Sequence, residues 1–178
     1  VVLPEQRPRL TNEEVMARCP WATFGKLKHR GPNIVTSLEL DPAEMEKRNI
    51  HLQKKYAEIE ENEVRFEELH CEDAEYLIVA FGSCARIAQK AMEMAREEGI
   101  KVGLLRPITL WPFPSKAIAA RAAQVKGILT VELNAGQMVE DVRLAVECKV
   151  PVEHFGRLGG IVPDPDEVIT ALKEKLIK

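Results

Sequence analysis

The sequence predicts an α/β fold around a sheet of mostly parallel strands, and two observations support this prediction. The apolar run YLIVAF begins at Tyr76 and is followed by glycine and small residues and then by helical periodicity. This pattern is typical of a strand buried on both faces. The same order of strand-like run and helix-length segment recurs, with strands predicted at 102–105, 128–132 and 152–155. Strands that alternate with helices indicate βαβ units and therefore a parallel sheet.

The composition is that of one ordinary globular domain with an extension. The 178 residues are 46% hydrophobic and 30% charged, and the formal net charge of −3 gives no electrostatic reason to expect nucleic acid or an anionic membrane as a partner. No apolar run approaches the roughly 18 to 20 residues of a membrane span. The cysteines are too dispersed for an iron–sulfur or zinc site, so we expect a soluble, cytoplasmic chain with reduced thiols at Cys19, Cys71, Cys84 and Cys148.

Residues 1–40 are predicted to form a linker or arm, because prolines interrupt the segment and no periodicity is sustained. Between Arg7 and Arg30, six basic residues stand against two acidic ones, a balance of +4. This charge fits either a solvated linker or an anion-binding arm. Segment 34–40 fits either a short strand or an extended segment that packs on a neighbour.

Residues 41–178 are predicted to form the main domain, beginning with a long amphipathic helix. Asp41 is a good N-cap, and Pro42 is tolerated in the first turn because its missing N–H is not needed there. The helix is expected to end near Asn62, where acidic residues oppose the helix macrodipole. We expect its apolar side to pack on the domain rather than to form a coiled coil, and that side consists of Met45, Leu52, Tyr56 and Ile59.

The remaining elements follow from turn and capping signals. A charged segment at 64–69 is close to period two, which predicts an edge strand antiparallel to the rest of the sheet. Further helices are expected at 85–98, before Gly99, at 115–124, with Ser115 as the cap, and at 138–147. Asp164 and Pro165 begin a last helix whose inward side is Val168, Ile169, Leu172 and Leu176.

The first candidate site is the turn after the strand at Tyr76. Ligands of open parallel sheets bind outside the carboxyl ends of the strands, and the N–H groups at a helix start favour anions. Gly82, Ser83 and Cys84 are therefore candidates to bind phosphate or carboxylate, and Cys84 is expected to have an acidic, reactive thiol. The alternative is a simple tight turn, because no dinucleotide fingerprint, Walker lysine or nucleophile elbow accompanies these residues.

Two further candidate segments follow other parallel strands and are expected at the same rim of the sheet. Arg106 precedes a loop in which prolines flank Trp111 and Phe113, and rigid aromatic groups of this kind favour a docking surface; the alternative is that both rings fold back onto the core. Glu132 precedes a cluster of polar residues that fits either a ligand site or a helix-capping turn. That cluster comprises Asn134, Gly136 and Gln137.

The segments YLIVAFGS, GLLRPITLWPFP, VELNAGQ and FGRLGG resemble the second domain of the alpha chain of 2-oxoacid:ferredoxin oxidoreductases, most closely the 2-ketoisovalerate type. The resemblance covers about residues 40–178. It implies a three-layer α/β/α fold similar to the C-terminal domain of transketolase. Its sheet is mixed and five-stranded, in the order 1-3-2-4-5 with strand 1 antiparallel.

The resemblance also implies a role in CoA-dependent oxidative decarboxylation of a 2-oxoacid. Family members contain thiamine diphosphate, magnesium and iron–sulfur clusters in the whole complex, with thiamine held by other domains and this domain contributing to subunit assembly. The thiamine-activating glutamate, the Gly-Asp-Gly motif and the cluster cysteines are absent from this sequence, so we expect a fragment that is inactive alone and binds no cofactor itself.

The partners that the resemblance implies are the thiamine-binding domains and other subunits of the enzyme, with ferredoxin and CoA reached through the complex. The alternative function is an independent small-ligand or nucleotide-binding module that uses the strand-end loops.

Overall fold

The computed structural model of the chain describes residues 9–22, 31–32, 34 and 36–177. The chain divides into two compact units, Val1–Arg48 and Asn49–Lys178. The predicted arm falls mainly in the first unit, and its residues 1–8, 23–30, 33 and 35 lie outside the described residues. The domain division predicted between residues 40 and 41 stays a prediction.

A short helix in the first unit was not foreseen from the sequence. Helix α1 (Asn12–Arg18) begins with a capping box in which Glu14 N donates to Thr11 Oγ1 (3.2 Å) and Thr11 N donates to Glu14 Oε2 (2.8 Å). The T-x-x-E spacing was the available signal. Residues 36–40 form no strand, which leaves the extended interpretation of that segment.

Helix α2 (Pro42–Asn62) begins and ends where the sequence predicts. Asp41 Oδ1 accepts hydrogen bonds from Ala43 N (2.8 Å) and Glu44 N (3.2 Å), as expected of an N-cap. None of its residues is buried. Of the apolar side that was expected to pack on the domain, Tyr56 contacts Trp111, so the expected packing is present as a surface contact without burial.

The second unit contains a five-stranded sheet whose order, β1-β3-β2-β4-β5, is the predicted one. β1 pairs antiparallel with β3 and every other neighbouring pair is parallel. The predicted strands are all present, with ends shifted by up to two residues. The strands are β1 (Phe66–Leu69), β2 (Tyr76–Ala80), β3 (Val102–Pro107), β4 (Gly127–Glu132) and β5 (Val152–Gly156).

Helices cover both faces of the sheet, which confirms the three-layer α/β/α architecture. Along β2, Ile78 faces the cluster formed with α3 and α6, whereas Leu77 and Val79 face the cluster formed with α4 and α5. Both faces of the strand are thus buried in apolar surroundings, as its continuous apolar sequence requires. The covering helices are α3 (Gly82–Glu97), α4 (Ser115–Ala122), α5 (Met138–Val146) and α6 (Pro165–Leu172), the last continued by a π-helical turn (Lys173–Ile177).

Two helix starts differ from the predicted ones. Helix α3 begins at Gly82 rather than at residue 85, so the expected strand-to-helix turn is the first turn of the helix itself. Ser115 is the first residue of α4 and not its cap, because Pro114 holds the cap position without a side-chain hydrogen bond. The cap of α6 is as predicted, since Asp164 forms a capping box with Glu167.

The edge strand β1 is held to the domain by two ion pairs. Arg121 of α4 donates from Nη2 (2.6 Å) and Nε (2.9 Å) to Glu68, and this bidentate contact lowers the pKa of the Glu68 carboxyl group. Arg106 of β3 donates to Glu67 Oε2 at 2.8 Å, across the strand pair. The charges of β1 thus serve packing on the domain as well as protection of an exposed edge.

Two glycines on the strands either side of β2 allow a matched test of the packing of the sheet. A Cβ added at Gly103 would lie 2.9 Å from the backbone oxygen of His70, whereas one at Gly127 would lie 2.8 Å from the flexible end of Leu176. We expect Gly103→Ala to lower the free energy of unfolding by about 1–3 kcal/mol and Gly127→Ala by less than about 1 kcal/mol. Urea denaturation measures both; equal losses would contradict the packing at β3.

Candidate functional site

The candidate residues lie in three segments at the carboxyl ends of the parallel strands. Gly82 follows β2, the loop 108–114 follows β3 and the loop 133–137 follows β4. β2 lies between β3 and β4, so the last two loops share the rim but are separated by about 10 Å, twice the strand spacing. The turn at Gly82 lies between them.

Glu132 is a fully buried carboxylate that caps the start of α5. Its side chain has 0% exposure, and its two oxygens accept hydrogen bonds from the backbone N–H groups of Val139 (3.0 Å), Met138 (2.9 Å) and Gln137 (3.2 Å). These donors and the positive end of the helix dipole stabilise the negative charge in the absence of water. His154 Nδ1 lies 3.6 Å from Glu132 Oε1.

The polar residues after Glu132 have the contacts of a helix-capping turn. Gly136 N donates to Asn134 Oδ1 at 2.7 Å, and Gly136 has a φ of +111°, which favours glycine. Gln137 occupies the cap position of α5 without a side-chain capping bond. A Cβ at Gly156 would lie 2.2 Å from the Asn134 carbonyl oxygen, so the end of β5 packs directly beneath this turn. Direct ligand binding by these residues stays a prediction.

The expectation of an acidic thiol at Cys84 is wrong. Its side chain is 3% exposed and lies in the core between the sheet and α3. Burial raises the pKa of the Cys84 thiol, and the negative charge of Glu132 raises it further. Gly82 and Ser83 precede it at the helix start and are exposed.

Cys71 lies in the core cluster on the other face of the sheet, so the two buried thiols are not neighbours. Burial raises the pKa of Cys71 to about 11. Over the described residues there is no group of three or more His, Cys, Asp and Glu side chains that could hold a metal ion.

The aromatic loop after β3 divides its two large rings between core and surface. Phe113 packs against the core cluster of α4 and α5, whereas Trp111 is 55% exposed. The indole makes an edge-to-face contact with Tyr56 of α2, at a centroid distance of 5.5 Å and an interplanar angle of 84°. The alternative prediction, that the rings fold back onto the core, is therefore correct for Phe113 and wrong for Trp111. Arg106, near the end of β3, forms an ion pair with Glu67.

Hydrogen bonds hold the aromatic loop against the segment before β1. Ile108 N (2.9 Å) and Thr109 N (3.1 Å) both donate to the Arg65 carbonyl oxygen, and Arg65 N donates to Thr109 Oγ1 (3.0 Å). The Thr109 hydroxyl donates in turn to the Pro112 carbonyl oxygen at 2.8 Å. The sequence carries no signal for the contacts with Arg65, since their partners are more than forty residues apart.

A groove of about 750 Å³, which we call the Trp111 groove, opens beside this loop. Its floor and walls are mainly apolar, and charged side chains lie at its margin. It is lined by Glu60, Glu61, Val64, Phe66, the loop residues 111–114 and the first residues of α4, 115–117.

Exposed large apolar side chains concentrate at the same rim. From Phe66 to the end of the described chain there are nine such residues, of which seven lie in loops that follow β3, β4 and β5. Apolar surface concentrated in this way is typical of an interaction surface. The seven are Ile108, Leu110, Trp111, Leu133, Leu158, Ile161 and Val162.

Comparison with known proteins gives a consistent result. A family model described as pyruvate:ferredoxin oxidoreductase core domain II matches residues 74–168. The ketoisovalerate oxidoreductase subunit VorB of Methanothermobacter marburgensis is 46% identical over 154 residues, which cover 86% of this chain and 43% of that protein. The 2-oxoglutarate synthase subunit KorA of the same organism is 33% identical over 101 residues, or 57% of this chain and 27% of that protein.

Solved structures share the fold. The 2-oxoglutarate:ferredoxin oxidoreductase of Magnetococcus marinus, solved with 2-oxoglutarate, coenzyme A and succinyl-CoA bound, matches with a TM-score of 0.66 and 26% identity, over 76% of this chain and 24% of that chain. A split-gene transketolase matches with a TM-score of 0.55 and 21% identity, over 64% of this chain and 41% of that chain, which shows the fold alone. The chain spans less than half the length of these relatives.

The role of Glu132 predicts the effect of removing its charge. Glu132→Gln replaces one acceptor oxygen by an N–H₂ group that faces backbone donors, so we expect the free energy of unfolding to fall by about 2 kcal/mol. Glu140→Gln is the matched control, an exposed carboxylate in the first turn of the same helix, with an expected loss below about 1 kcal/mol. Urea denaturation compares the two. Equal effects would mean that burial of Glu132 adds nothing.

The burial of the thiols predicts their order of reaction. Cys148 is exposed, whereas the raised pKa values of Cys71 and Cys84 leave little thiolate at pH 8. We expect iodoacetamide to modify Cys148 in the native chain and to reach Cys71 and Cys84 only after unfolding, as followed by peptide mass spectrometry. Rapid native modification of Cys84 would restore the interpretation of a reactive thiol.

Proposed function

This chain belongs to the pyruvate:ferredoxin oxidoreductase core domain II family, and on that premise we propose that it is a subunit-assembly domain of a thiamine-diphosphate-dependent 2-oxoacid:ferredoxin oxidoreductase. The observation that carries the proposal is the 46% identity to the VorB subunit over 154 residues, which extends well beyond the family match. The whole enzyme would carry out CoA-dependent oxidative decarboxylation of its 2-oxoacid.

The proposed substrate class is a branched 2-oxoacid such as 2-ketoisovalerate. Relatives named for other 2-oxoacids are less similar: identity is 33% to the 2-oxoglutarate synthase subunit KorA and 32% to the pyruvate synthase subunit PorA of Methanothermobacter species. The substrate assignment rests on these identities.

The residues that the structure describes do not fit the cofactors expected in the whole complex. They contain no metal-binding group of His, Cys, Asp and Glu side chains. Cys71 and Cys84 lie in different core clusters, and the buried carboxylate of Glu132 already accepts three backbone N–H groups. We therefore assign no chemical step to this chain, and place thiamine diphosphate, magnesium and the iron–sulfur clusters on the other domains and subunits.

The surface of the domain supports an assembly role. The exposed apolar side chains at the carboxyl-end rim and the Trp111 groove give partner subunits a surface to cover. Ferredoxin and CoA would act through the complex. No helix among the described residues is long and apolar enough to cross a membrane. We propose a cytoplasmic location, in keeping with four dispersed, free cysteines.

The contacts at the rim favour this role over an independent small-ligand module. Such a module would need polar groups free to bind at the strand ends. Glu132 and Asn134 serve the start of α5, and Cys84 is buried. Exposed polar side chains remain near the starts of α3 and α5, among them Ser83, Arg86 and Gln137.

Reconstitution tests the proposed function. The chain would be co-expressed with the remaining subunits of its enzyme. Ferredoxin reduction by the purified complex would then be measured with 2-ketoisovalerate and CoA. We expect turnover that depends on thiamine diphosphate and on the presence of this chain. An enzyme that assembles and turns over equally well without the chain would contradict the proposal.

The lack of fitting ligands predicts that the chain alone binds no thiamine diphosphate. Titration calorimetry with thiamine diphosphate and Mg²⁺ should give no heat of binding for the purified chain, since the described residues contain no group of three or more His, Cys, Asp and Glu side chains that could hold the metal ion. Micromolar binding to the chain by itself would contradict the assignment of the cofactor to other domains.

A further inference from the structure

The Trp111 groove combines an aromatic wall with an open ring face. Trp111 touches Tyr56 edge-to-face and still has 55% of its surface exposed. Val64, two residues before β1, and Phe66, the first residue of β1, both contribute to the groove lining. An exposed indole of this kind attracts apolar groups and also cations over its face.

The margin of the groove carries negative charge that its neighbours only partly balance. Glu60 and Glu61 line the groove from the last turn of α2, where the helix carbonyl groups already produce negative potential and no basic residue is present. Lys116 Nζ lies 3.0 Å from Glu61. Among the described residues, no cation lies within ion-pair distance of Glu60, which itself lines the groove. The groove therefore favours a cationic group and disfavours phosphate or another anion.

The adjacent edge strand suits a polypeptide as the occupant. β1 pairs with β3 on one side and is the last strand of the sheet on the other. An edge strand offers backbone N–H and C=O groups to an extended segment, and the groove beside it offers positions for that segment's side chains.

We propose that the Trp111 groove receives an extended segment of another subunit of the same enzyme, one that carries a lysine or arginine beside an apolar residue. The cation lies over the Trp111 ring and pairs with Glu60, and the apolar side chain packs on Phe66 and Phe113. This inference rests on the proposed function, and names the surface and the chemistry of the partner.

Charge reversal and ring removal in the assembled enzyme test the inference. Glu60→Lys introduces repulsion at an exposed helix position, and Trp111→Ala removes the ring. Each should weaken association with the other subunits by about tenfold or more, measured as the dissociation constant by analytical ultracentrifugation. The effect of Glu60→Lys should shrink in 1 M salt, where charge interactions are screened.

The control is Glu97→Lys, an exposed glutamate at the end of a different helix, α3, which should leave association unchanged. Thermal melting of each variant separates loss of fold from loss of binding. If Trp111→Ala lowers the melting temperature, the affinity of Glu60→Lys alone tests whether the groove binds the partner. If the enzyme assembles and the Glu60→Lys chain associates with wild-type affinity, the groove is not the docking site, and the proposed function still stands. A wild-type chain that joins no such enzyme would overturn the proposed function and this inference together.

Discussion

The buried carboxylate of Glu132 is the interaction on which the carboxyl-end rim depends. A carboxylate with no solvent exposure is costly unless its oxygens are paired, and three backbone N–H groups at the start of α5 supply the pairing. The same bonds fix the position of the start of α5 relative to the end of β4. They hold the turn of Asn134 against the end of β5. At Gly156 the Asn134 carbonyl oxygen lies so close that a Cβ would not fit.

That use of Glu132 differs from the usual role of polar groups at strand ends. In many open α/β sheets the strand ends present polar groups to a ligand, and here the central ones are bonded to the protein's own backbone. At the β3 end of the rim, Phe113 anchors the loop in the core and Trp111 remains exposed beside acidic residues. The domain thus presents a partly apolar surface at this end of the rim, in keeping with the proposed assembly role.

The sheet was predictable because each strand carries its signal locally, as at β2, where an unbroken apolar run corresponds to burial on both faces. The strand order came from the family resemblance. The site was less predictable, because burial depends on where an element begins: α3 starts at Gly82, and this places Cys84 in the core instead of at an exposed turn. The separate positions of Trp111 and Phe113 depend on Tyr56 and Arg65, contacts that no local pattern records.

Hydrogen exchange of the chain alone and of the same chain within the assembled enzyme tests the central claim most directly, namely that the β3 end of the rim is an assembly surface and that Glu132 is internal structure. The account predicts that amides of residues 58–66 and 108–117 exchange at least about tenfold more slowly in the assembly. The amides of Gln137, Met138 and Val139, already bonded to Glu132, should exchange at the same rate in both states. Unchanged exchange at 58–66 and 108–117 on assembly would contradict the account.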